Sequence, residues 1–202
     1  VSERMASLLM ETLVAGVDAW VDLHGGDIHE ALEPFTIYSD GGAPDVVAKS
    51  RAMADAYGIP HIIRSQSIAG GTYGAATSRG VPAILTEAGG VGQLDADSVA
   101  VHQKGLRNVL RLLGVLPGTP EPGAPATYLT QFVWLRSEHS GCWYPAVRAG
   151  ERVSKGQVVG VIRDYWGDLL VEHRAPAGGV ILFIVTSLAI NPTDPLLGVG
   201  TA

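Results

Sequence analysis

A single cysteine, Cys142, leaves no partner for an internal disulfide, so no disulfide framework staples this chain. The residue reads as a small packed hydrophobe rather than a nucleophile. Basic residues are few, 14 Lys and Arg against 20 Asp and Glu, and they form no run. With a net charge of −6, the basic footprint of a nucleic-acid partner is missing. Long apolar runs are missing too. The longest, Val180 to Ile190, is too short for a bilayer and carries Thr186 and Ser187. No basic segment followed by an apolar one stands at the beginning, which is how a secretory leader would read. The expectation is a soluble, cytoplasmic protein with no membrane partner.

What is present is apolar and rich in glycine. Hydrophobic residues make up 47% of 202, with 26 glycines, a composition that folds rather than stays disordered. The length suits one large or two small domains. Ser2 to Val17 reads as a helix capped by Ser2, with Leu8, Leu9, Thr12, Leu13 and Val17 at helical spacing. A three-layer α/β domain seldom starts on a helix cap, so a missing upstream segment is expected. Pro34 to Ser39 and His61 to Ile63 read as short strands. Between them Pro44 opens a helix that Gly58 ends. Ile68 to Ser78 reads as a short, closely packed helix, and Ser98 to about Leu113 as a longer one capped by Asp95 or Asp97.

Two stretches carry the chemistry. Val17 to Leu23 reads as a buried parallel-type strand, ended by His24 and the pair Gly25-Gly26. Sites in α/β sheets form outside the carboxyl ends of strands. His24 is therefore placed to hold a ligand or metal; a hydrogen-bonded histidine at a capped strand end is the other reading. Asp22 leaves the same face of the strand and can orient the imidazole. Val81 to Glu87 repeats the pattern, a strand ending in a charged residue followed by Ala88-Gly89-Gly90. A buried structural glutamate needs a fixed partner, whereas one at a strand end beside a site can serve as a general base.

Beyond residue 116 the character changes. Pro117, Pro120, Pro122 and Pro125 mark a linker over 117–126. Residues 127–202 show short strands and frequent turns: Tyr128 to Leu135, Gly141 to Pro145, Val158 to Ile162, Leu169 to His173 and Val180 to Val185. The division expected is an α/β domain over 1–116, the linker, and a small all-β domain.

Val21-Asp22-Leu23-His24-Gly25-Gly26, the strand end Thr86-Glu87-Ala88-Gly89-Gly90 and the Pro-rich passage into a β-domain resemble the succinylglutamate desuccinylase/aspartoacylase family. The likeness runs over essentially the whole chain. It implies a carboxypeptidase-like three-layer α/β sheet domain, present in part, followed by a barrel-sandwich domain, and a zinc-dependent deacylase. Carried over by position, His24 is a zinc ligand and Glu87 the general base. The resemblance also asks for a cation to meet a substrate carboxylate or an oxyanion. Arg79 is the candidate, a plain surface arginine being the other reading, with Tyr73 and Arg64 as weaker substrate-binding candidates from nearby loops. The β-domain, through Val147 to Gly160 and Ala175 to Val180, is similar to biotinyl and lipoyl carriers. Its turn Arg163 to Asp168 has no lysine to modify, so a structural role or a wall of the site is expected.

One departure is large. The family's His-x-x-Glu zinc motif does not occur anywhere in the sequence. The simplest expectation is the C-terminal portion of a longer zinc enzyme, inactive alone, that cleaves the amide of an N-acyl amino acid or related small molecule. A local metal cluster of His24, Asp27, His29 and Glu30 is a rival. A non-catalytic binding or assembly module that keeps the fold is the alternative function. A homo-oligomer is possible on either reading. His61, His102, His139 and His173 lie outside any ligand spacing and read as ordinary histidines.

Overall fold

The structure is a computed structural model and describes residues 1–14, 16–66 and 71–202. In chain order it has helix α1 (Ser2–Leu9), a π-helical turn (Met10–Val14), and strands β1 (Trp20–His24), β2 (Glu30–Leu32) and β3 (Phe35–Ser39). Then follow α2 (Pro44–Tyr57), β4 (His61–Ser65), α3 (Thr72–Ser78), β5 (Ala83–Glu87) and α4 (Ala96–Leu112). The remainder is all strand: β6 (Thr127–Leu129), β7 (Gln131–Arg136), β8 (Gly141–Pro145), β9 (Arg152–Val153) and β10 (Val158–Arg163). It closes with β11 (Leu169–Arg174), β12 (Gly179–Val185), β13 (Ala189–Ile190) and β14 (Pro195–Thr201).

Two compact units result. The first comprises Val1–His24, Phe35–Thr86 and Ala100–Tyr128; the second Gly25–Pro34, Glu87–Val99 and Leu129–Ala202. This division differs from the one expected, a single break at the Pro-rich stretch. Part of the reason is β2, which pairs antiparallel with β12, Leu32 opposite Phe183 and Glu30 opposite Val185.

The first unit is built on a sheet of order β1-β5-β3-β4-β6. β3 and β4 are parallel and in step from Phe35 opposite His61 to Ser39 opposite Ser65. Alternation along the strands splits the core into two layers. Tyr38, Ile62 and Ile84 pack with Met53, Ala54 and Tyr57 of α2 and Val109 of α4. Ile37, Ala83 and Leu85 pack with Tyr73 and Ala76 of α3 and with Val14. Helices on both faces of a sheet make this a three-layer α/β unit, as the sequence implies. Pro44 stands in the first turn of α2 and Gly58 closes the helix at φ +85°, where only glycine sits without strain.

Three local readings change. The helix at the start is capped by the backbone of Val1, not by Ser2. Its apolar stripe also faces outward: Leu8, Leu9 and Leu13 are half exposed or more, and Val14, carried on the π-helical turn, goes into the core instead. β1 is not a buried strand. It ends the sheet order, and Leu23 and His24 at its tip are exposed. Of the helix expected over 68–78, Thr72–Ser78 is seen; residues 68–70 lie outside the described residues.

The linker is strapped down. The Asn108 side chain donates to the carbonyl of Glu121 at 3.0 Å and accepts from its amide at 2.9 Å, while Arg111 reaches the Glu121 carboxylate at 2.8 Å.

The second unit is a sandwich of two sheets, β11-β10-β8-β13 and β2-β12-β14-β7, with β9 paired to β12. Trp143 and Ile162 from one sheet meet Phe183, Val185 and Leu196 from the other. β14, absent from the sequence reading, runs through the middle of its sheet. Its glycines hid it and explain it: a Cβ on Gly198 would lie 2.4 Å from the ring of Phe132, which stacks on Phe183 at 6.0 Å.

Candidate active site

His24 is the last residue of β1 and Glu87 the last residue of β5, and these strands are neighbours in the sheet. Trp20, the first residue of β1, donates to the carbonyl of Pro82, just before β5, at 2.8 Å, and Gly26 donates to that of Gly89 at 3.0 Å after both strands end. The two therefore run parallel and end together.

The loops that follow are built for close contact. A Cβ on Gly26 would come 2.7 Å from the carbonyl oxygen of Glu30, and one on Gly90 would come 2.2 Å from the same atom. Gly89 sits at φ +82°. Val91 donates its amide to that carbonyl at 2.9 Å, so Glu30 O is the point on which both glycine loops converge. The Asp95 carboxylate then caps α4 by accepting from the Ser98 amide at 2.9 Å and from its hydroxyl.

At the end of β1 a polar network holds His24. Asp22 Oδ1 lies 3.2 Å from His24 Nε2, and Thr72 donates its hydroxyl to the other carboxylate oxygen. The side chain of His24 is 44% exposed, that of Asp22 19%. This is the orienting contact expected from the Asp-x-His spacing. From the other side His102 Nε2 reaches the His24 carbonyl at 3.0 Å. His102 Nδ1 meets the Tyr57 hydroxyl at 2.8 Å, which accepts from Thr86 at 3.2 Å. Burial raises the Tyr57 pKa above the ordinary phenol value, the Thr86 hydrogen bond opposing it. Sequence reasoning passed over His102; its place on α4, 78 residues from His24, is given only by tertiary structure.

Residues 1–113 match the family described as Succinylglutamate desuccinylase/Aspartoacylase catalytic domain. The chain belongs to the succinylglutamate desuccinylase/aspartoacylase family. It is 30% identical to an N-alpha-acetyl-L-2,4-diaminobutyric acid deacetylase of Halomonas elongata, over 97% of this chain and 60% of that protein. The product-bound structure of the ectoine utilization protein EutE (DoeB) from Ruegeria pomeroyi matches with a TM-score of 0.90 and 27% identity, over 100% of this chain and 64% of that one. A succinylglutamate desuccinylase from a Silicibacter species matches with a TM-score of 0.87 and 27% identity, over 100% of this chain and 63% of that one. The chain thus spans less than two thirds of the length of these relatives.

The other residues singled out for the family's chemistry fall as follows. Glu87 is half-buried at its strand end. Tyr73 is 2% exposed in the core, its hydroxyl donating to Ser65 at 3.1 Å. Arg79 is at the C-cap of α3, with a guanidinium nitrogen donating to the Ala75 carbonyl at 3.0 Å. It precedes the start of β5, while Glu87 ends that strand about 13 Å further on at the usual rise per residue. Arg64 is exposed and paired to Asp40 at 2.9 Å.

The rival metal loop is occupied with the second unit's sheet. The His29 carbonyl accepts from Thr186 at 2.7 Å, and Glu30 enters β2. Among the described residues no three His, Cys, Asp or Glu side chains gather into a group able to hold a metal. The residues present therefore do not fit a complete zinc site. Among them, too, no helix is long and apolar enough to cross a membrane.

Proposed function

We propose that this chain is the C-terminal part of a zinc-dependent deacylase that cleaves the amide bond of an N-acyl amino acid or related small molecule. The observation that carries the reading is the pair of matched strand ends: His24 braced by Asp22 on β1, and Glu87 on the neighbouring β5, each followed by a glycine loop. Membership of the family and the names of the relatives support the reaction class. In this reading His24 supplies one zinc ligand, and the others come from outside these 202 residues.

Glu87 acts as the general base. It takes a proton from the attacking water as the oxygen adds to the acyl carbonyl. It returns that proton to the nitrogen as the carbon–nitrogen bond breaks, releasing a carboxylic acid and an amine. Asp22 and Thr72 hold the His24 ring in one orientation so that it need not be ordered during the reaction.

The test is metal analysis and hydrolysis of N-acetylated amino acids by the whole protein, with and without His24→Ala. The reading expects zinc and turnover in the parent and loss of both in the variant. A parent with neither, or a variant with both, would remove it.

A further inference from the structure

His102 stands outside every ligand spacing in the sequence, yet its ring is engaged at both nitrogens. Nε2 lies 3.0 Å from the His24 carbonyl oxygen, and Nδ1 lies 2.8 Å from the Tyr57 hydroxyl. A carbonyl only accepts, so Nε2 must carry the ring proton, and Nδ1 then accepts from Tyr57. Tyr57 in turn accepts from Thr86 at 3.2 Å. Tyr57 is 2% exposed and Thr86 fully buried. The chain makes room for this line of contacts. Gly105, mid-way along α4, has no side chain where a Cβ would lie 2.2 Å from the Tyr57 ring.

We infer that His102 is a positioning residue for His24. Tyr57 locks His102 in one tautomer, His102 pins the His24 backbone, and Asp22 holds the ring. The inference rests on the reading of His24 as a site residue. Satisfying the carbonyl is not enough to explain the arrangement. His24 is at an exposed strand tip, where water would serve its carbonyl equally well. Instead two buried hydroxyls and a helix glycine are committed to holding one imidazole in one state. A strand tip at the end of a sheet has one neighbouring strand, so its last residue is the least constrained part of β1. The contact from α4 removes that freedom at the residue whose placement matters.

Three variants separate the parts. Tyr57→Phe keeps the ring and its packing but removes the proton that fixes Nδ1. His102→Gln keeps both a donor and an acceptor, whereas His102→Met keeps neither. Long-range proton–nitrogen spectra of the chain read the imidazole tautomers directly. The expected result is His102 protonated at Nε2, with Tyr57→Phe shifting its Nδ1 resonance and the amide and ring resonances of His24. His24 resonances unmoved by both Tyr57→Phe and His102→Met would overturn the inference.

In the active enzyme, His102→Met should lower kcat about ten- to a hundredfold with little change in KM, the range typical of losing an outer partner of a ligand. His102→Gln should recover most of it. Equal losses in both variants, in step with their thermal midpoints, would leave His102 a fold residue only. A parent enzyme with no turnover would end the deacylase reading, while the spectra would still decide whether His102 holds His24.

Discussion

Asp22 and His24 lie two residues apart on β1 and face each other, carboxylate oxygen to Nε2 at 3.2 Å. The alternation of a strand puts both side chains on one face, and Thr72 from α3 fixes the far oxygen of the carboxylate. The contact holds the imidazole through its Nε2 edge.

Asp22→Ala should therefore act through His24. The fold should persist, because Asp22 is at the sheet's last strand and is not part of the core. Metal affinity and turnover of the whole enzyme should fall about ten- to a hundredfold. Titration with zinc against a competing chelator checks the affinity. An unchanged affinity would mean that Asp22 does not orient the ligand.

Gly90→Ala tests the convergence of the two glycine loops. The new Cβ would lie 2.2 Å from the Glu30 carbonyl oxygen, a backbone atom that cannot swing away. A forced contact of this kind typically costs about 1–3 kcal/mol. Chemical denaturation should show a loss in that range, and Gly80→Ala, at φ +84° with nothing within 4 Å, shows by contrast the cost of left-handed backbone without a steric contact.

Much of this arrangement is legible before any coordinates. Strand, polar residue and glycine pair, twice over, led to His24 and Glu87, and three of those glycines, Gly25, Gly26 and Gly90, prove to be positions where a Cβ would meet backbone. Pro44 and Gly58 bound α2 because each acts on the chain locally. What escaped is what depends on partners remote in sequence. β2 is three residues long and is a strand only because β12 pairs with it. β14 carries glycines that suit the Phe132 and Phe183 rings and weaken its pattern. The stripe on α1 reads as a core face until the π-helical turn sends Val14 inward instead. His102 and Tyr57 are 45 residues apart, and no spacing rule joins them.

His173 gives the fold a pH dependence. It is 8% exposed beside Trp143, edge to face at 5.9 Å, and its Nε2 is buried with no hydrogen-bond partner among the described residues. Burial lowers its pKa below the ordinary imidazole value; Glu138 opposes this and His139 adds to it. The unfolded chain then binds the proton more readily than the folded one. Stability is thus full above the unfolded value, about 6.5, and falls as pH drops from there through the folded value. Unfolding midpoints followed from neutral to acidic pH should decline, and His173→Phe should flatten the decline. The same slope in both proteins would assign the effect to other groups.

Zinc should bind poorly to the 202-residue chain alone. It offers His24, and among the described residues no group of three ligands exists, whereas a zinc site needs three or four. Metal analysis after dialysis should find well under one equivalent. Stoichiometric zinc held at micromolar concentration would point instead to a local site at His24, Asp27 and His29.

The most direct measurement is kcat together with zinc content for Glu87→Gln in the whole enzyme. The amide keeps the shape of the carboxylate at the end of β5 but cannot accept a proton. The account predicts zinc content close to that of the parent and a fall in kcat of at least about a hundredfold, with KM little changed. Near-normal turnover with zinc in place would make Glu87 a structural residue and contradict the mechanism.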